Sequence, residues 1–257
     1  MGLNLGMHSP SKEKSGVPDS LTAQSKHFRG HQNVSKHLPF RRIPIVLLFF
    51  FITAGLFAQD PLRFKKEVTD LKASDSLVVK KRLNLFTGSS SIRLWADLQQ
   101  RFSEANVVNR GFGGSLMHEL HYYTADLILD YRPRRVFIYE GDNDLGTGKH
   151  AEDILRDADK ILSAIRCKLG RRVKVYFITP KPSIRRWDLK SRYENYIAAL
   201  KNWARERKNV AVIDVWTPML NGDGNVRAEL FVDDGLHMNQ QGYDIWAQLI
   251  RPHLLKK

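Results

Sequence analysis

Four short polar segments of the 257-residue chain carry the residue types that hydrolysis by a nucleophilic serine requires. In chain order they read GSSS (88–91), GFGGS (111–115), GDND (141–144) and DGLH (234–237). A serine hydroxyl attacks an acyl carbon at neutral pH when a neighbouring base, most often histidine, takes its proton. A carboxylate three residues before the histidine can orient the imidazole. The segments therefore indicate acyl transfer, with either Asp233 or Asp234 beside His237.

Each segment is also typical of ordinary connecting structure. Residues 88–91 fit a strand-to-helix turn with a serine cap, or a cradle for a phosphate group. The glycine-rich run fits a flexible turn, and residues 141–144 fit a turn and cap. The joint occurrence of all four in this order favours the catalytic interpretation over the structural one.

The elements that must position these segments form a regular alternation. Short β-rich runs occupy residues 83–86, 107–109, 136–139, 173–178 and 210–215. Helical periodicity covers 151–169 and 189–204, and a last helix ends before Pro252. This alternation predicts an α/β fold with a parallel sheet that is buried on both faces. Ligands bind beyond the carboxyl ends of such strands, so we expect the four segments to meet at that edge.

The order of the segments resembles the SGNH hydrolase, or GDSL-type esterase/lipase, family. From Ser90 the spacing is 24 residues to Gly114, 53 to Asn143 and 147 to His237. The resemblance spans residues 80–257. One position departs from the family pattern, because Ser89 stands where the family has aspartate.

The resemblance implies a three-layer α/β/α sandwich with a flavodoxin-like five-stranded sheet of order 2-1-3-4-5. It selects Ser90 as the nucleophile, two residues after the glycine, and Asp234 with His237 as the acid–base pair. It implies an oxyanion hole built from Ser90, Gly114 and Asn143, with no cofactor and no metal ion.

The implied activity is that of a serine esterase acting through an acyl-Ser90 intermediate. Small-acyl esters such as acetylated carbohydrate are the expected substrates, because the domain is short and no large apolar lid is visible. The alternative is a non-catalytic carbohydrate- or phosphate-binding module on the same fold. Whether the protein oligomerises is left open.

Two further groups of residues are weaker candidates. Arg185, Arg186 and Trp187 follow the fourth strand and are candidate substrate-binding residues, or else belong to a solvated connector with one buried tryptophan. His118 and His121 have a spacing that suits a metal ion, but no third ligand is evident.

Composition excludes several other classes of protein. Apolar residues make up 42% and charged residues 26%, as in ordinary globular proteins. The net charge is +14, but the sequence contains no RNA-recognition, helix-turn-helix or zinc-finger signature, so we expect no nucleic-acid partner. Cys167 is the one cysteine, which excludes an intrachain disulfide. Its apolar neighbours predict a partly buried thiol.

The first 79 residues predict export rather than catalysis. Residues 1–40 have the composition of a disordered basic tail, and residues 41–58 place two arginines before an uncharged apolar run. This run predicts a signal peptide that is cleaved after Ala58, giving a periplasmic or secreted protein. A start at Val34 would make the leader 34–58. The alternative is an N-terminal anchor that tethers the protein to a membrane.

Residues 59–79 are expected to be a linker, followed by the hydrolase domain at 80–257.

Overall fold

The computed structural model describes residues 60–257. The predicted basic tail and the leader or anchor over 41–58 lie outside the described residues. Within residues 60–257, no helix is both long enough and apolar enough to cross a bilayer.

Five strands alternate with helices along the described chain. The strands are β1 (Asn84–Gly88), β2 (Val107–Gly111), β3 (Arg135–Tyr139), β4 (Lys174–Ile178) and β5 (Val210–Ile213). The helices are α1 (Lys65–Lys72), α2 (Ser90–Arg93), α3 (Leu98–Arg101), α4 (Met117–Tyr122), α5 (Thr124–Leu127), α6 (Asp142–Gly146), α7 (Ala151–Leu169), α8 (Lys190–Arg205) and α9 (Gln240–Ile250). Each of the five predicted β-rich runs overlaps one of these strands, and the three predicted helices correspond to α7, α8 and α9.

All strand pairs in the sheet are parallel, and the strand order is β2-β1-β3-β4-β5. This confirms the predicted order and the α/β class. Gly88, the last residue of β1, is in register with Gly111 on β2 and Tyr139 on β3. The three adjacent strands therefore end at the same level of the sheet, which brings the first three polar segments to one edge.

Apolar side chains cover both faces of the sheet. On one face, Leu85 and Val136 pack with residues of α4, α7 and α8. On the other face, Phe86, Phe137 and Tyr176 stack in a row, with ring centroids 4.5 and 4.8 Å apart, and pack with α9. Neighbouring residues of a strand point to opposite faces, so a sheet covered by helices on both sides needs unbroken apolar strands.

Residues 59–79 were expected to be a linker, but residues 60–79, which the structure describes, include packed secondary structure. A 3₁₀ turn at Pro61–Phe64 leads into α1, and Phe64 and Val68 are buried in the core. Arg63 forms two hydrogen bonds with the buried carboxylate of Glu119, at 2.6 and 2.8 Å. Charged residues are interspersed with the apolar ones over residues 60–79, which obscures the helical period in the sequence although the contacts of the segment are extensive.

The prediction of a partly buried Cys167 is wrong. Its side chain is exposed on α7, whose buried positions include Ile154, Ala158, Ile161 and Ile165. Cys167 follows Ile165 by two residues, which rotates it by about 200° around the helix axis and away from the core.

The carboxyl group of Glu140 is buried beneath the carboxyl edge of the sheet. Glu140 accepts a hydrogen bond from Ser115 Oγ at 2.6 Å, whereas its second oxygen has no partner among the described residues. Burial, reinforced by the charge of Asp144, raises the pKa of Glu140 well above its ordinary value. We therefore infer that Glu140 is protonated at neutral pH, since an ionised carboxylate would not be left with an unpaired buried oxygen.

This inference predicts a specific pH dependence of stability. A carboxyl whose pKa is higher in the folded state binds more protons when folded, so its contribution is complete below the unfolded pKa and declines as pH rises. As pH rises above about 4.5, the stability of the wild type should fall more steeply than that of the Glu140→Gln variant, with a difference in slope of at most about 1.4 kcal/mol per pH unit. Urea unfolding at several pH values measures this difference, and equal slopes would contradict it.

Candidate active site

The turn that carries Ser90 is fixed by a close approach of two strands. Gly88 has φ +119°, and a Cβ at this position would lie 2.1 Å from the carbonyl oxygen of Tyr139. Only glycine is free of both the steric conflict and the backbone strain. The Ser89 N–H donates to the same carbonyl at 3.0 Å, and Ser90 begins α2. The turn therefore presents Ser90 beyond the end of β1.

Ser90, His237 and Asp234 form a continuous chain of contacts. Ser90 Oγ lies 3.1 Å from His237 Nε2, and His237 Nδ1 lies 2.6 Å from Asp234 Oδ2. Asp234 Oδ1 accepts hydrogen bonds from the backbone N–H groups of Leu236 and His237, both at 2.8 Å. Desolvation opposes ionisation of Asp234, but these hydrogen bonds outweigh it and lower its pKa to about 2. The carboxylate is therefore charged at neutral pH, and it, rather than Asp233, contacts the imidazole.

The loop that holds His237 is tied to the start of α9. The Val232 N–H donates to the His237 carbonyl at 3.0 Å, and Gly235 turns the chain with φ +62°. Asn239 then caps α9 by accepting hydrogen bonds from the backbone of Gln241 and Gly242. These bonds fix the position of a histidine that follows a long irregular connection from β5.

The amide of Asn143 lies between the turn of Ser90 and the glycine-rich loop. Asn143 Nδ2 donates to Ser89 Oγ at 2.7 Å and to the Ser115 carbonyl at 3.0 Å. A Cβ at Gly114 would lie 3.8 Å from the same nitrogen. The residues predicted for an oxyanion hole, Ser90, Gly114 and Asn143, are therefore brought together at this edge.

Residues outside the four segments hold the glycine-rich loop. The Gly113 N–H donates to Glu67 Oε1 of α1 at 2.9 Å, and Arg63 Nη2 lies 3.4 Å from the Gly114 carbonyl. Neither residue was predicted to support the site, because both lie in the predicted linker. Their only signal was the placement of Phe64 and Val68 four residues apart, on one side of a short helix.

A buried ionic cluster lies directly beneath Asn143. Asp142 accepts hydrogen bonds from Lys181 Nζ (2.9 Å), Arg186 Nη1 (2.6 Å), Tyr193 (2.6 Å) and Tyr139 (2.7 Å). Burial alone would raise the pKa of Asp142, but the charges of Lys181 and Arg186 outweigh it and hold that pKa well below the ordinary value. Lys181 and Tyr193 were not predicted, because nothing in the sequence pairs them with residue 142.

The three candidate substrate-binding residues separate in the structure. Arg185 is exposed, and its backbone N–H donates to the Gly235 carbonyl at 3.0 Å, so it adjoins the histidine loop. Arg186 turns inward and places Nη2 2.9 Å from Asn143 Oδ1. Trp187 stacks on Trp216 with ring centroids 6.0 Å apart. Of the three, Arg185 alone presents an exposed side chain beside the site, and its contact with substrate stays a prediction.

The weak metal candidate has other contacts. His118 Nδ1 lies 2.8 Å from Lys149 Nζ, and Glu119, which follows His118 in the chain, pairs with Arg63. In the described part of the chain, no three His, Cys, Asp or Glu side chains are grouped so that they could hold a metal ion.

Comparison with known proteins agrees with this geometry. A profile of the GDSL-like lipase/acylhydrolase family matches residues 75–245, whereas no curated protein matches the chain. A GDSL-like lipase from Bacteroides thetaiotaomicron VPI-5482 is 18% identical, with a TM-score of 0.64 over 76% of this chain and 98% of that one.

Two further solved structures share the fold. A lipase/acylhydrolase from Enterococcus faecalis is 22% identical, with a TM-score of 0.55 over 68% of this chain and 98% of that one. A carbohydrate esterase family 3 protein from Talaromyces cellulolyticus is 17% identical, with a TM-score of 0.53 over 66% and 95%. Because the profile covers well over half of the chain, this protein belongs to the GDSL-like lipase/acylhydrolase family of hydrolases.

Proposed function

We propose that the protein is a serine esterase that forms an acyl intermediate on Ser90. The observation that carries the proposal is the chain of contacts from Ser90 through His237 to the charged carboxylate of Asp234, beside the amide of Asn143. A serine cap or a surface histidine requires no such alignment, whereas nucleophilic catalysis requires all of it.

The geometry supports the following reaction. His237 takes the proton of Ser90 as its oxygen attacks the ester carbonyl, and Asp234 stabilises the imidazolium. The oxyanion accepts hydrogen bonds from the backbone N–H groups of Ser90 and Gly114 and from the amide of Asn143. His237 then gives its proton to the leaving alcohol, and water hydrolyses the acyl-enzyme by the same route in reverse.

Small-acyl esters, such as acetylated carbohydrate, are the substrates that we propose. The side chain of His237 is 29% exposed, so the reacting groups lie close to the surface. Ile184 and Val232 are exposed apolar residues near the histidine loop. A Cβ at Gly235 would lie 3.2 Å from Ile184 Cβ, and the Val232 N–H donates to the His237 carbonyl. Two branched side chains offer contact for a short acyl group but not for a long one. The shared fold with a carbohydrate esterase motivates the choice of alcohol.

The first prediction concerns the nucleophile. Ser90→Ala should abolish hydrolysis of p-nitrophenyl acetate, with a loss of at least about 10³-fold in kcat, because the acyl intermediate cannot form. Ser91→Ala is the matched control, and it should retain activity because Ser91 contacts neither His237 nor Asn143 in the described structure. Rates on acetyl, butyryl and octanoyl esters should fall with chain length.

A fluorophosphonate probe distinguishes the esterase from a non-catalytic binding module. The esterase should gain one covalent adduct at Ser90, visible by intact mass, and Ser90→Ala should gain none. A wild-type protein that is neither labelled nor active on any of these esters would support the binding module instead.

The second prediction concerns the carboxylate. Asp234→Asn should lower kcat by about 10²–10⁴-fold, because the imidazolium loses its charged partner, with KM changed by less than about twofold. Asp233→Asn is the matched control and should behave like the wild type. Because the pKa of Asp234 is about 2, this carboxylate stays ionised down to about pH 3, so any acid limb at higher pH belongs to another group. Equal losses in the two variants would contradict the assignment.

A further inference from the structure

We propose that Arg186 is a positioning residue that holds the amide of Asn143 toward the nucleophile. This inference rests on the function proposed above, in which Asn143 donates to the oxyanion. Arg186 lies in the 3₁₀ turn Ile184–Leu189 between β4 and α8, outside the four polar segments. Its Nη2 lies 2.9 Å from Asn143 Oδ1, and its Nη1 lies 2.6 Å from Asp142 Oδ1. One planar guanidinium therefore joins the buried carboxylate to the amide.

The guanidinium decides which end of the amide faces the nucleophile. Arginine has hydrogen-bond donors and no acceptor, so it can face only the oxygen of Asn143. The nitrogen then points the opposite way, where it donates to Ser89 Oγ at 2.7 Å and to the Ser115 carbonyl. Ser89 directly precedes the nucleophile. We infer that a developing oxyanion replaces Ser89 Oγ as the acceptor without rotation of the amide.

The charge of Arg186 also strengthens the donor. A cation that is bonded to an amide oxygen polarises the amide, and its N–H groups then donate more strongly to an anion. Arg186 is itself held in place, because Asp142 is bound on other sides by Lys181 and Tyr193. A Cβ at Gly146 would lie 3.0 Å from Arg186 Nε, so the side chain also packs closely against α6. Such restraint is what a preorganised oxyanion donor requires.

A double-mutant cycle with Asn143 tests this role. Losing one oxyanion donor costs about 10²–10³-fold in kcat, so Arg186→Gln, which weakens a donor, should cost about tenfold or more with KM nearly unchanged. In the Asn143→Ala background, Arg186→Gln should lower kcat no further, because the amide on which it acts is absent. A purely structural role predicts the same loss in both backgrounds.

Arg186→Lys separates positioning from stability. Lysine retains the positive charge beside Asp142, but its single ammonium does not reproduce the two-sided fork of arginine. We expect this variant to keep a thermal midpoint near that of the wild type while kcat falls as in Arg186→Gln. Full activity in either Arg186 variant would overturn the inference, as would Asn143→Ala with full activity. Activity that survives in Ser90→Ala would instead overturn the proposed esterase mechanism.

A second, independent feature lies at the opposite edge of the sheet, and from it we infer a binding site for a linear polyanion. A cleft of about 660 Å³ opens between the loop before β3 and the loop before β4. Its charged lining residues are all basic: Arg132, Arg134, Lys168, Arg171 and Arg172. All five residues are exposed, and none of them forms an ion pair with a carboxylate of residues 60–257.

The basic surface continues along the amino ends of neighbouring strands. Lys80, Lys81 and Arg82 precede β1, and Arg205 and Lys208 precede β5. Because β1, β3, β4 and β5 are adjacent, these charges extend over about 14 Å of sheet edge. A row of cations with a concave centre fits a single chain of closely spaced anionic groups better than it fits a flat bilayer, which does not enter a cleft. The site faces away from Ser90, so bound polymer leaves the active site open.

Inorganic polyphosphate and dextran sulfate, two polyanions of different chemistry, test this site in the full-length protein. The variant Arg134→Gln/Arg171→Gln/Arg172→Gln should bind at least about tenfold more weakly at 150 mM salt, with a shallower dependence of affinity on salt, because fewer counterions are released. The control Lys65→Gln/Lys66→Gln/Arg156→Gln removes the same charge from exposed positions elsewhere and should bind within about twofold of the wild type.

Three outcomes would overturn the polyanion site. Equal losses in the two triple variants would show that net charge alone drives binding. Binding to anionic phospholipid vesicles but to neither polymer would identify a membrane-contacting surface instead. Binding of orthophosphate as tight as that of the polymers would show a site for single ions. Hydrolysis of p-nitrophenyl acetate is a separate measurement, so a failed esterase assay does not bear on this result.

Discussion

The close parallel register of β1 with β2 and β3 is the constraint on which the site depends. It aligns Gly88, Gly111 and Tyr139 in one row, so three polar segments that are far apart in sequence begin side by side. The contact between Gly88 and the Tyr139 carbonyl leaves no room for a side chain. The position of Ser90 is therefore set by backbone contacts inside the sheet, and the surrounding loops only have to bring His237 and Asn143 to it.

Beneath this edge, the surroundings shift the pKa values of two nearby acidic residues in opposite directions. Asp142 is surrounded by Lys181 and Arg186, which favour its charged form. Glu140 has no cationic partner, and its burial and the negative charge of Asp144 outweigh the hydrogen bond from Ser115 and favour the neutral form. The difference comes from the partners rather than from burial, which is nearly complete for both. A charged Asp142 can anchor Arg186, and a neutral Glu140 avoids adding a further buried negative charge beside Asp142 and Asp144.

The alternation of elements predicted the parallel sheet and the edge at which the four polar segments meet, for two physical reasons, whereas the strand order and the choice of reacting residues came from the family resemblance. Strands buried on both faces are unbroken apolar runs, and a parallel sheet gathers the ends of its strands at one edge. The sequence did not predict the packing of residues 60–79, where Phe64 and Val68 are separated by charged residues. It left Arg186 as either a candidate substrate-binding residue or part of a solvated connector, and did not predict its contact with Asn143, because a side chain's direction depends on partners that are distant in sequence. The exposure of Cys167 shows the same limit, since two apolar neighbours do not specify a helix face.

The four polar segments supply the candidate reacting groups, but the residues that hold them lie elsewhere in the chain. Arg63 and Glu67 hold the loop of Gly113 and Gly114, and Arg186 holds Asn143. Catalysis requires donors that are already oriented when charge develops, and contacts of this kind can hold such donors in place. At 17–22% identity to the solved relatives, the fold is shared while such supports are free to differ. Family membership therefore indicates a hydrolase, whereas the orientation of the candidate reacting groups depends on contacts made by residues outside the four segments.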